Sequence, residues 1–167
     1  MVGFGSKRVL TVPVDKQGGM LADKLPEDID DRTIVCIQSG SVNTGAFDPA
    51  DKIIPECKKK GAWVHVDGAF GLWAGASPKK SYLTKGVELA DSWATDAHKW
   101  LNVPYDSGIV FVKNSDDLRS AMSMEAAYLD QSGREFRTIT LLNCLRKQEQ
   151  SKFGQHFVHS ERRELLS

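Results

Sequence analysis

The 167-residue chain has little cysteine, no long apolar run and no excess of either charge. The absence of an apolar stretch of spanning length argues against a membrane helix. Met1–Arg8 lacks the hydrophobic core of a secretory signal. Its 22 Lys and Arg balance 22 Asp and Glu, which argues against nucleic acid or an anionic membrane as the main partner. The three cysteines, Cys36, Cys57 and Cys144, are odd in number and far apart. They read as reduced thiols of a cytoplasmic protein, with no disulfide framework and no metal site. There is no internal repeat and no low-complexity segment.

What is present describes a globular chain. Hydrophobic residues make up 41% and charged residues 26%, enough for one domain with a core. Val9–Val14 is a short β-branched run that Pro13 demotes to an edge strand or strand end. Leu21–Leu25 reads as a brief helical turn. Thr33–Gln38 is a continuous apolar run, the pattern of a strand covered on both faces of a parallel sheet. Asp48-Pro49 signals a helix start, with Asp48 as N-cap, and Gly61 signals its stop. Pro55 lies between them and should kink or restart that helix, and Lys58–Lys60 read as a solvent-facing helix end. Further strands fall at Trp63–Asp67, Ser92–Asp96 and Ser107–Lys113, with a weak helical pattern over 72–90 and a capped helix from Ser115. This alternation predicts an α/β domain with a mainly parallel sheet.

Two stretches carry chemistry. In Ser92–Trp100 a strand breaks into polar residues, and His98 and Lys99 stand side by side between Trp93 and Trp100. A lysine held there is poorly placed as a solubilising charge. Partial burial would make it an amine nucleophile of the kind a Schiff base needs. Upstream, Trp63–Asp67 is a strand whose last residue is an acid, followed by the small residues Gly68 and Ala69. Acid and lysine at two neighbouring strand ends face the edge where open α/β sheets bind ligands, and they are the parts that pyridoxal phosphate requires. His65 lies two residues before Asp67, on the same strand face; it either braces that acid or is a satisfied core histidine.

These stretches resemble the pyridoxal-phosphate-dependent amino-acid decarboxylases of the group that includes aromatic-amino-acid and glutamate decarboxylases. The resemblance rests on Ser92-Trp93, Lys99-Trp100-Leu101 and Tyr105-Asp106-Ser107, preceded in order by Asn43–Pro49 and His65–Ala69. Ser107 departs from the usual Cys or Ala. The similarity runs from about Val9 to about Leu129. It implies part of the large domain of the fold-type I architecture, three-layered α/β/α, whose last strand is antiparallel.

The resemblance also implies site roles. Lys99 would hold pyridoxal phosphate as a Schiff base, Asp67 would pair with the ring nitrogen, and Ala69 would lie against the ring. His98 would contact the phosphate or the imine. Thr44 would reach the ring or the substrate carboxylate, or else is an ordinary loop hydroxyl. Tyr128, followed by Leu129, matches a tyrosine that donates a proton from a mobile loop, often into a neighbouring subunit. The implied activity is decarboxylation of an L-amino acid, in a family whose full-length members form homodimers.

Family members are several times longer, so the chain reads as a fragment: residues 1–133 as a partial large domain and residues 134–167 as a divergent tail. That tail carries seven Lys and Arg against four Glu. The alternatives are a catalytically inactive fragment, or another fold-type I enzyme such as a lyase or transaminase.

Overall fold

The computed structural model of the chain describes residues 8–122. Tyr128 and the 134–167 segment lie outside the described residues. Four strands, β1 (Ile34–Gln38), β2 (Trp63–Asp67), β3 (Ser92–Asp96) and β4 (Gly108–Val112), form one sheet in the order β1-β2-β3-β4. The first three are parallel and β4 is antiparallel to β3. The positions of these four strands follow the sequence expectation, as does the reversed last strand.

Helix α1 (Ala50–Lys59) crosses from β1 to β2. Its buried residues, Ala50, Ile53, Ile54 and Cys57, recur at the 3–4 residue spacing of one helix face. They pack on Val35, Ile37, Val64 and Val66, which alternate along β1 and β2 and therefore share a sheet face. Burial among these side chains pushes the Cys57 thiol up from its ordinary value. The helix ends as expected. Gly61 adopts φ +79°, and the Gly61 and Ala62 N–H groups return to the carbonyls of Lys58 and Cys57, both at 3.1 Å.

Several local expectations are corrected. The β1 run is covered on one face only among the described residues, since Ile34 and Cys36 are exposed. An apolar run does not itself encode which face meets a helix. Pro55 neither interrupts nor restarts α1, which is continuous through it. Asp48 does not cap that helix: Pro49 occupies the cap position. The Asp48 carboxylate instead accepts the N–H groups of Met20 at 2.7 Å and Gln38 at 2.6 Å, tying the N-terminal loop to the end of β1. Val9–Val14 forms no strand, only a bridge from Val14 to Met20. Residues 72–90 form three short 3-10 turns rather than a helix. Helix α3 (Ser115–Met122) is capped by Asn114, whose Oδ1 accepts the Asp116 N–H at 3.0 Å.

The Lys58–Lys60 cluster does not simply face solvent. Lys58 pairs with Asp91 at 2.7 Å, and the other Asp91 oxygen accepts the buried Val64 N–H at 2.8 Å. Asp91 also donates its N–H to the Val64 carbonyl and accepts the Lys113 N–H on its own carbonyl. One acid thus joins α1, β2 and the end of β4 at the start of β3.

Asp91→Ala should destabilise the fold by about 1–3 kcal/mol, because it strands a buried N–H. Lys58→Met, which removes only a half-exposed charge, should cost under about 1 kcal/mol. Urea titrations of the two variants check the ordering, and equal losses would contradict it.

His65 turns out to be a satisfied histidine. Its Nδ1 meets Ser92 Oγ at 2.8 Å, and the same oxygen accepts the Trp63 indole N–H at 2.9 Å. Ser92 Oγ thus bridges the two side chains, and the direction of its bond to His65 follows the imidazole tautomer. Burial lowers the His65 pKa, against a smaller opposing effect of the Asp67 charge. The unfolded chain then takes up this proton first as pH falls below about 6.5. The stability tied to a neutral His65 is complete above that value and is lost on acidification. The Tm difference between wild type and His65→Asn should narrow from pH 7 to pH 5; a difference independent of pH would refute this account.

Candidate active site

The carboxyl ends of β1, β2 and β3 converge on one edge of the sheet. Gln38, the last residue of β1, is in register with Asp67, and Asp67 with Ala94. Asp96 lies two residues past Ala94, so Asp67 and Asp96 register on the same sheet face. It is the face opposite to the one that α1 covers.

The loop after β2 is held to β3 beyond the last paired residues. Gly68 donates its N–H to the Ala94 carbonyl at 2.8 Å. The buried Thr95 hydroxyl donates to the Gly68 carbonyl at 3.1 Å. Only glycine fits at 68: a Cβ there would lie 2.6 Å from Leu72 Cβ and 3.1 Å from the Ala94 carbonyl oxygen. Gly71 meets the loop after β1 as closely, since its Cβ would lie 2.5 Å from the Ser39 carbonyl oxygen. The loop after β2 is therefore packed closely against both the end of β3 and the loop after β1.

Asp67 ends β2 with an exposed carboxylate. One oxygen accepts the Ala69 N–H at 3.1 Å; the other has no hydrogen-bond partner among the described residues. Ala69 follows on the same loop. Lys99 lies on α2 (Ala97–Trp100), a single turn directly after β3. Its side chain is 23% exposed, so the expected partial burial is present, but the two tryptophans do not produce it. Trp100 is 59% exposed, and the Trp93 indole donates to the Val87 carbonyl. The Lys99 ammonium instead sits 3.9 Å from the Phe70 ring centroid, a cation–π geometry, and 2.6 Å from Asp96 Oδ2.

His98 is nearly buried, with 9% of its side chain exposed. Its Nδ1 accepts the Ser107 N–H at 3.1 Å, and its ring stacks on Tyr105 with centroids 4.1 Å apart. Ser107, the departure from the family pattern, is itself buried and returns its carbonyl to the Ala97 N–H at 2.8 Å. Pro104 and Gly108 keep the segment after Trp100 out of helix, as the sequence implies.

Of the sequence-derived candidates, Asp67, Ala69, His98 and Lys99 belong to β2, β3 and the segments that follow them. Thr44 lies on the loop after β1, but its hydroxyl donates to the Gln17 carbonyl at 2.6 Å and accepts the Ala46 N–H. Sequence reasoning missed Asp96 and Phe70 as neighbours of Lys99. Asp96, three residues before the lysine at a strand-to-helix junction, is a signal that spacing alone offers. Phe70 offers none, because only the packing of two loops brings it there.

Comparison with known proteins accords with this geometry. The model of the pyridoxal-dependent decarboxylase conserved domain matches residues 2–157, beyond the Leu129 limit of the sequence resemblance. The aromatic-L-amino-acid decarboxylase of Rattus norvegicus is 32% identical over 144 residues, covering 82% of this chain and 30% of that protein. A glutamate decarboxylase-like protein of Gibberella zeae is 36% identical over 136 residues, covering 77% and 26%. The chain thus spans about a third or less of the length of these relatives.

Among solved structures, Oryza sativa TDC with PLP and tryptamine superposes with TM-score 0.69 at 26% identity, covering 77% of this chain and 28% of that one. The glutamate decarboxylase domain of a Vibrio parahaemolyticus diaminobutyrate protein gives TM-score 0.66 at 31% identity, covering 72% and 28%. With a family model that runs through nearly all of the sequence, and an acid and a lysine on one edge of a matching sheet, the chain belongs to the pyridoxal-dependent decarboxylase family.

Proposed function

We propose that this chain carries part of the site of a pyridoxal-phosphate-dependent carboxy-lyase acting on an L-amino acid. One observation supports it most: Asp67 and Lys99 lie at the ends of adjacent parallel strands, on the same edge. The residues fit the cofactor by their chemistry. Asp67 has a carboxylate oxygen without a hydrogen-bond partner among the described residues, which suits the protonated ring nitrogen, and Lys99 supplies a primary amine for the aldehyde. Ala69, on the loop that follows Asp67, has the small side chain that a flat ring laid over it would need.

When bound, the cofactor supplies an electron sink for the pair left on the α-carbon as carbon dioxide departs. Asp67 would hold the ring nitrogen by accepting its N–H, a charge-assisted hydrogen bond. Lys99 would hold the group through its amine. His98, fixed by the Ser107 N–H and the Tyr105 stack, presents Nε2 as its remaining polar atom. Tyr128, by family resemblance, would serve as the proton donor.

The amino-acid substrate, a homodimeric partner and a cytoplasmic setting belong to the same proposal. The free thiols of Cys36 and Cys57 accord with that setting, and no helix among the described residues is long and apolar enough to cross a membrane. The domain reading belongs to the same proposal: residues 1–133 as part of the large domain and 134–167 as a tail, into which the family match extends as far as residue 157. A second reading, a chain that keeps the motif without a working pocket, is favoured by Thr44, whose hydroxyl is already occupied.

Incubation with pyridoxal phosphate, reduction with borohydride and peptide mapping separate the two. The label should concentrate on Lys99 and disappear with Lys99→Arg. Asp67→Asn should weaken it by about tenfold, the worth of a charged hydrogen bond. Label spread evenly over Lys58, Lys79 and Lys99 would give the second reading the lead.

A further inference from the structure

Lys99 is not a bare amine in this fold. Its ammonium is held from two sides, by Asp96 Oδ2 at 2.6 Å and by the Phe70 ring face at 3.9 Å. Both side chains of the ion pair are largely withdrawn from water, at 23% and 26% exposure, so the pair is screened less than a surface pair. Among the described residues Asp96 is the only carboxylate in ion-pair contact with Lys99.

The same Asp96 oxygen faces His98 Nε2 at 3.7 Å. Because His98 Nδ1 accepts the Ser107 N–H, the proton of a neutral His98 sits on Nε2 and points toward this carboxylate. Asp96, His98, Phe70 and, across His98, Tyr105 are the groups around the lysine. Strand alternation places Asp96 on the Asp67 face of the sheet, so the ion pair also draws Lys99 to that face.

From this geometry we infer that Asp96 is a positioning residue that parks Lys99 as an ammonium whenever the lysine is not bonded to cofactor. The inference rests on the Schiff-base reading of Lys99 and deepens it. An ammonium has no lone pair and cannot attack a carbonyl carbon. The proton that Lys99 must lose first has the Asp96 carboxylate as its nearest acceptor: Lys–NH3+ and Asp–COO− become Lys–NH2 and Asp–COOH, with the proton then passing to water. The same post receives Lys99 when a substrate amine displaces it. Asp96 thereby holds the freed lysine within reach of the site and keeps it unreactive toward other electrophiles.

The sign of the mutational effect distinguishes this role from a structural one. Competitive labelling of the full chain with trace acetic anhydride, without cofactor, reads the reactivity of each lysine by peptide mass. At pH 7.5 the acetylation of Lys99 relative to the exposed Lys79 should rise about threefold or more in Asp96→Asn. Asp96→Glu should restore low reactivity. An unchanged or lowered ratio in Asp96→Asn, or a rise equally large in Asp96→Glu, would overturn the proposal.

Lys58, paired with the remote Asp91, reports on the fold. If its ratio rises as well, Asp96→Ser is the second variant, judged by the same criterion. Failure of pyridoxal phosphate to label Lys99 specifically would defeat the Schiff-base reading instead, and the acetylation result does not depend on it.

Discussion

The seam between β2 and β3 is pinned at both ends, and the rest of the structure depends on it. At the amino end Asp91 exchanges two hydrogen bonds with Val64. At the carboxyl end Gly68 and Thr95 carry the contact past the last paired residues. A parallel pair needs a long crossover and has no tight turn to fix its register. Here side chains and one glycine supply that fixation. A slip by one residue would turn Asp67 away from the face it shares with Asp96.

Buried and half-buried carboxylates do much of the joining. Asp48 ties the N-terminal loop to β1, Asp91 ties α1 to the start of β3, and Asp96 ties Lys99 to the end of β3. Each accepts from a backbone N–H or an ammonium, so a charge withdrawn from water finds a donor. The balance of charges in the composition hides this, because a net count does not say which acids face solvent. Asp30 and Asp51, by contrast, pair with Arg32 and Lys85 in the open, where such pairs contribute little.

The site combines a rigid frame with one adjustable part. Asp67 is set by the sheet, and the loops beside it are packed too closely at Gly68 and Gly71 to admit a side chain. Lys99 has a long flexible stem and is held only at its tip, by one carboxylate and one ring face. That division suits a reaction in which the acid keeps a single partner while the lysine exchanges partners.

Much of this was legible in the chain itself. Strand positions followed from apolar runs bounded by polar residues, and the stop of α1 followed from Gly61. That Asp67 and Lys99 lie on one edge followed because Asp67 closes β2 and Lys99 comes just after the end of β3, and strands of a parallel sheet end on the same edge. What the sequence could not determine were contacts between segments far apart in it. Nothing local says that Asp48 serves Met20 and Gln38 rather than its own helix, or that His65 serves Ser92 rather than Asp67. Nor does it say that Phe70 covers Lys99 or that Thr44 is taken by Gln17. A side chain's hydrogen-bonding capacity is written in its residue type, but its partner depends on which backbones approach it in three dimensions, and only the tertiary structure decides that.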